Sequence, residues 1–147
     1  MHRRDDASQN AAISIGSVKH ERHLPDSVLT RAVIASFFEV YNHLRWGFLE
    51  AVYAGALAIE LEERGIAYRR EVRLDVLYKR AVAGIYRADF LVEQRLVLEI
   101  KACVAVGDAD RRQLLNYLRL THVPLGLLLH FGPAEPKVVR VVNSVAP

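Results

Sequence analysis

Apolar positions change period several times along the chain, and each change marks an element. Val28, Leu29, Ala32, Val33, Phe37, Val40, Tyr41 and Leu44 recur at spacings of three and four. That spacing puts them on one side of a helix, with Asp26 or Ser27 available as its cap. Gly47 interrupts the run. Leu49, Val52, Tyr53, Ala56, Leu57 and Leu61 then form a second helical stripe, and Gly65 is suited to end it. From residue 67 the period falls to two. "AYRREVRLDVLY" (67–78) reads as a strand, and "KRAVAG" around Gly84 as a turn region. "IYRADFLV" (85–92) and "RLVLEIKAC" (95–103) read as a hairpin through Glu93 and Gln94.

Helical spacing returns in "DADRRQLLNYLRL", which Asp108 can cap and which must stop before Pro124. "LGLLLHF" (125–131) is apolar throughout, as expected in the middle of a sheet. "KVVRVV" (137–142) fits a last strand or a helical turn. A helical crossover between the third and fourth strands makes some strands parallel. The expected class is α/β, a mixed sheet with helices on both faces. Residues 1–24 differ from all of this: they are polar, mixed in charge and aperiodic, and hold three of the six histidines. They read as a disordered, solvated tail, with His20 and His23 lacking a second ligand pair for zinc. Residues 25–147 read as one domain.

Composition narrows the setting. Of 147 residues 52% are hydrophobic and 25% charged, the balance of a globular domain with a sizeable core. The net charge of +3 allows a polyanionic partner without demanding one. Cys103 is the only cysteine, so no intrachain disulfide forms, and a reducing cytoplasm is the expected location. No stretch is apolar enough to span a membrane, and the first residues lack the apolar core of a signal peptide.

One strand carries charges where burial is expected. In "RLVLEIKAC", Val97, Glu99 and Lys101 share one face, and Leu96, Leu98 and Ile100 the other. An unpaired charge inside a core costs several kcal/mol. On the preceding strand a tight hairpin sets residue 91 opposite 96 and Asp89 near 98; a small offset or bulge brings Asp89 beside Glu99. Two converging carboxylates suit Mg²⁺, a hard ion that takes oxygen ligands and keeps several waters. Lys101 then stands where it can orient water or stabilise developing negative charge. Taken alone, Glu-x-Lys on a strand is more often a surface pair.

The order of motifs adds to this. "GFLEAVY" (47–53) matches the Gly-x-x-Glu-x-x-Tyr signature, and "YRADFLV", "LVLEIKA", "QLLNYL" and "FG" follow it at the right spacing. Over residues 28–142 the chain resembles the GxxExxY proteins, a family similar to the PD-(D/E)XK nucleases. The resemblance implies a restriction-endonuclease-like αβββαβ core and hydrolysis of phosphodiester bonds in DNA or RNA with Mg²⁺, or Mn²⁺ in its place. It implies Asp89 and Glu99 as metal ligands together with the backbone carbonyl of Ile100. It makes Lys101 the catalytic lysine, and places Glu50 and Gln113 at the site. The chain departs from the family pattern in reading "LRWG" up to Gly47, and in having Tyr41 and Asp110 where histidine is common.

Several residues admit two readings. Arg87 clamps a phosphate or balances Asp89. Tyr53 touches substrate or packs in the core, and Trp46 stacks on a base or packs. Gln113 and Tyr117 share a helix face, with Gln113 the one turned to the site. Two functions fit: a metal-dependent nuclease, or a module of the same fold that binds nucleic acid, or takes part in an assembly, without cleaving. The lack of an evident target-recognition domain favours a partner protein, a second copy or loose sequence specificity.

Overall fold

Eight elements follow one another in the computed structural model, which describes residues 26–144. The expectations for residues 1–24 lie outside the described residues. Helix α1 (Asp26–Leu44) buries Leu29, Val33, Phe37, Val40 and Tyr41, the expected stripe, while Val28 is exposed. Helix α2 (Glu50–Glu63) buries Tyr53, Ala54, Leu57, Ala58 and Leu61. This face is rotated from the expected one. Leu49 lies outside the helix, in extended conformation at its N-cap, and both Leu49 and Val52 are exposed. Gly65, at φ 72°, ends α2: its N–H donates to Glu62 O and that of Ile66 to Leu61 O.

Strand β1 (Tyr68–Tyr78) turns into β2 (Ala81–Val92) through Lys79 and Arg80, both with positive φ. The turn is therefore two residues long, and Ala81–Gly84 belong to the strand rather than to a turn around Gly84. No Gly or Asn marks Lys79–Arg80, the usual signal for such a backbone. Strand β3 (Leu96–Lys101), helix α3 (Asp108–Thr121), strand β4 (Leu125–Phe131) and strand β5 (Pro136–Val142) complete the chain. The segment with two readings is thus a strand. The sheet order is β1-β2-β3-β4-β5, with β3 and β4 parallel and the other neighbours antiparallel. Helix α3 is the crossover between the parallel pair.

Each face of the sheet has its own core. Helices α1 and α2 pack against Tyr68, Phe90, Leu96, Leu98, Ile100, Leu127, Leu129 and Phe131. Helix α3 packs Leu114, Tyr117 and Leu118 against Val72, Leu74, Ala88, Leu91, Val97 and Leu128. Among the described residues no helix is long and apolar enough to cross a membrane.

The second core depends on a missing side chain. A Cβ at Gly126 would stand 2.9 Å from Leu114 Cδ1 and 3.0 Å from its Cγ. Leu114 is fully buried and has little room to yield. Gly126→Ala should therefore cost about 1–3 kcal/mol, the range for overpacking. Urea denaturation checks this; an unchanged midpoint would show that α3 can lift off β4 freely.

Candidate active site

Two strands of this sheet separate part-way along their length. β2 and β3 pair only through Phe90–Leu98, Leu91–Val97 and Val92–Leu96. The turn between them is closed by Arg95 N–H donating to Val92 O at 3.0 Å, with positive φ at Glu93 and Gln94. Arg95 is then one residue more than a two-residue hairpin needs. It shifts the register from the expected 91 opposite 96 to 92 opposite 96, and so sets Asp89 opposite Glu99 rather than Leu98. That rung is not paired. Beyond Leu98, β3 stays with β4, where Glu99, Ile100 and Lys101 pair with Leu128, Leu129 and His130. β2 stays with β1.

The fork exposes backbone that must find partners. Asp89 supplies one: its Oδ2 accepts the Ile100 N–H at 2.7 Å. Opposite Asp89, Glu71 on β1 has φ 48°, and the rung between them is skipped. The strands switch faces here. Tyr68 and Phe90 enter the α1/α2 core, whereas Val72 and Ala88 enter the α3 core. Strict alternation would put 88 with 90, so this break is what turns Asp89 into the fork.

Glu99 is 5% exposed, and its Oε1 has no hydrogen-bond partner. Burial, then the Asp89 charge, pushes its carboxyl up to about 8. Asp89 is also raised: burial outweighs the Ile100 N–H, and the Glu50 charge adds to it. Lys101 Nζ stands 3.8 Å from Glu99 Oε2 and 3.6 Å from Asp110 Oδ1. Asp110 Oδ2 accepts the Gly107 N–H at 2.9 Å, tying the lysine's neighbour to the start of α3. The buried Tyr117 hydroxyl is pushed up by burial and by Glu99 and Asp89.

Glu50, the first residue of α2, lines a cleft of about 170 Å³ with Arg70, Glu71, Asp89 and Ile100. The structure thus sets Glu50 and Asp89 on this cleft, with Glu99 next to Asp89 and Lys101 next to Glu99. Gln113 is half-buried on α3, one turn before Tyr117. Arg87 is exposed, two residues from Asp89 and opposite Arg73. Tyr53, one of whose readings was substrate contact, is fully buried; its ring stacks on Phe131 and its hydroxyl is bonded to Arg45 O. Arg70 and Glu71 were not anticipated at the cleft. The one hint of them is "RREV", where polar residues interrupt the alternation.

The donor set fits a hard divalent cation. Two carboxylates converge, and a buried oxygen is left without a partner, an arrangement that costs free energy unless a cation shares it. Among the described residues no group of three or more His, Cys, Asp or Glu side chains is placed to hold a metal ion, so side chains alone offer at most two carboxylates here. An ion there would be held by Asp89 and Glu99 and would keep positions for water, as a hard divalent cation does and structural zinc does not.

The raised Glu99 pKa has a consequence for stability. Between its ordinary 4.5 and about 8, the folded chain keeps a proton that the unfolded chain has lost. Stability of the metal-free protein therefore falls as pH rises through that window. Glu99→Gln removes the ionised group. In EDTA the variant should exceed wild type above pH 8 by on the order of 1–3 kcal/mol, with the gap closing toward pH 4.5. Melting curves across pH decide it; a pH-independent gap would rule out ionisation of buried Glu99 as the source.

No curated protein matches the chain. Among solved structures, the crystal structure of SSO0001 aligns over 94% of this chain and 77% of its own, with 15% identity and a TM-score of 0.49. The family model of the PD-(D/E)XK nuclease superfamily matches residues 27–141. That match runs from the second residue of α1 to the next-to-last residue of β5 and takes in the whole fork between β2 and β3. The chain belongs to the PD-(D/E)XK nuclease superfamily, and its mixed five-stranded sheet is the restriction-endonuclease-like fold.

Proposed function

We propose that this protein is a Mg²⁺-dependent nuclease, with Mn²⁺ able to substitute, that hydrolyses phosphodiester bonds in DNA or RNA. The observation that carries the reading is the meeting of Asp89, buried Glu99 and Lys101 at the open rung of the sheet. A structural ion pair would not need a second carboxylate, the half-buried Asp89, beside Glu99. Asp89, Glu99 and the Ile100 carbonyl would hold the ion, which would neutralise phosphate charge and make bound water more acidic. Lys101, restrained by Asp110, offers its ammonium to the phosphate and the attacking water. Glu50 borders the cleft from α2 and orients water. Gln113 approaches from α3.

A polyanionic substrate is supported by the hairpin of β1 and β2. Arg73 and Arg87 face each other across the strands, and Lys79 and Arg80 form the tip. Like charges directly opposite are unfavourable without an anion to share. Asp75 meets Arg73 at 2.8 Å, so Arg87 is the residue of that pair assigned to a phosphate. Closer kinship to the GxxExxY proteins, a cytoplasmic location and a second copy or partner protein complete the proposal. The first rests on the motif set from "GFLEAVY" to "FG", and the second on the lone Cys103.

Purified protein should cleave DNA or RNA with Mg²⁺ or Mn²⁺ and not in EDTA. Lys101→Ala should keep fold and metal uptake and lose roughly 10²–10³-fold in rate, the range for removing one electrostatic stabiliser. Equal cleavage by wild type and Lys101→Ala would remove the lysine from catalysis. Binding without cleavage under every metal would favour the non-cleaving module.

Millimolar Mg²⁺ or Mn²⁺ should also raise the melting temperature, because only the folded chain gathers these carboxylates. Asp89→Asn should abolish that rise. Melting curves indifferent to both metals would argue against a preformed site.

A further inference from the structure

We propose that Tyr53 is a positioning residue for Glu50: its buried hydroxyl clasps the Arg45–Leu49 loop and so sets where α2 presents Glu50 to the cleft. The inference rests on the nuclease reading of that cleft.

Beyond the Arg45 N–H donated to Tyr41 O and the Phe48 ring set edge-on to that of Tyr53, which Tyr53→Phe would keep, little holds the loop. Trp46, Phe48 and Leu49 are 40%, 49% and 78% exposed, so burial does not fix their backbone. Arg45 and Gly47 both take left-handed φ, 63° and 124°, a conformation that is unfavourable for arginine and easy only for glycine. Helix α2 then starts without a side-chain cap, since its N-cap is Leu49, which has no oxygen to offer. Its start must be determined from elsewhere.

The Tyr53 hydroxyl does this from one turn inside the helix. It donates to Arg45 O and accepts the Phe48 N–H at 3.3 Å. One oxygen thus engages both limbs of the loop. The ring is fully buried and stacks on Phe131 of β4, with centroids 4.2 Å apart. Through that stack the loop is referenced to the sheet that carries the site. Glu50 is the residue between clasp and cleft. It begins α2 three residues before Tyr53, and its charge is felt by both Asp89 and Glu99.

The spacing Gly47, Glu50, Tyr53 acquires a physical reason. The glycine allows the turn, the tyrosine locks it, and the glutamate is what the lock aims. A ring that only packed would not need its oxygen, so Tyr53→Phe separates the two roles.

The test uses the full chain and Mn²⁺ alone as ligand, followed by cleavage of DNA and RNA. Tyr53→Phe should retain its fold and melt within a few degrees of wild type. Amides of Phe48–Ala51 should exchange faster, with exchange elsewhere unchanged. Mn²⁺ affinity or kcat should fall roughly 10–100-fold, the scale seen when a partner of a metal-site group is lost, with KM for nucleic acid little changed. In a Glu50→Gln background, Tyr53→Phe should cause no further loss. Unchanged amide exchange overturns the clasp. Equal losses in both backgrounds, or unchanged Mn²⁺ affinity and kcat, overturn its action through Glu50. Wild-type protein that takes up no Mn²⁺ and cleaves nothing overturns the nuclease reading, and with it the role assigned through Glu50. The exchange data then decide separately whether the clasp itself exists.

Discussion

The hydrogen bond from Ile100 N–H to Asp89 Oδ2, 2.7 Å long, stands where a ladder rung between β2 and β3 would otherwise form. A sheet that opens inside a protein leaves backbone donors in a place water reaches poorly. Here a carboxylate takes the donor. The same substitution brings charge into the gap, beside Glu99 and Lys101 on the strand that continues. The opening of the sheet and the assembly of the site are therefore one event.

Several features of the fold serve that opening. Arg95 adds the residue that aligns Asp89 with Glu99. Glu71, with its positive φ, breaks the alternation on β1 opposite Asp89 and lets the outer hairpin turn its other face to α3. On the far side, β4 supports β3 through Lys101, whose neighbour in the ladder is His130. His130 Nε2 lies 2.7 Å from Cys103 O and holds the segment leaving β3. Asp110 joins Lys101 to the N-terminus of α3. That contact is an ion pair, Lys101 Nζ to Asp110 Oδ1 at 3.6 Å.

Burial gives the site its chemistry. Burial makes the neighbouring Asp89 and Glu99 carboxyls costly to ionise together, so the metal-free fold carries a cost when both are charged. A divalent cation would offset that cost, and its binding would then be coupled to stability. Lys101 alone does not remove it, because 3.8 Å from Glu99 Oε2 leaves Oε1 without a partner.

Much of this is legible in the order of residues alone. The change of period from three-four to two locates both cores, and the alternation in "RLVLEIKAC" puts Glu99 and Lys101 on one face with Ile100 anchored on the other. Such patterns are local: burial of one face is written into residues two or four apart. What the sequence leaves open is set by contacts between elements. The Lys79–Arg80 turn carries no Gly or Asn. The register of Asp89 hangs on one residue, Arg95, whose bulge has no signature of its own. The face switch at Glu71 and the buried face of α2 follow from the packing of strands and helices. Tyr53 has two readings in the sequence; that its ring stacks on Phe131 and its hydroxyl bonds Arg45 O is visible only in the fold. Residue order dictates which positions are apolar and which are charged; which charges meet follows from contacts between elements, because meeting depends on a register that a single inserted residue can shift.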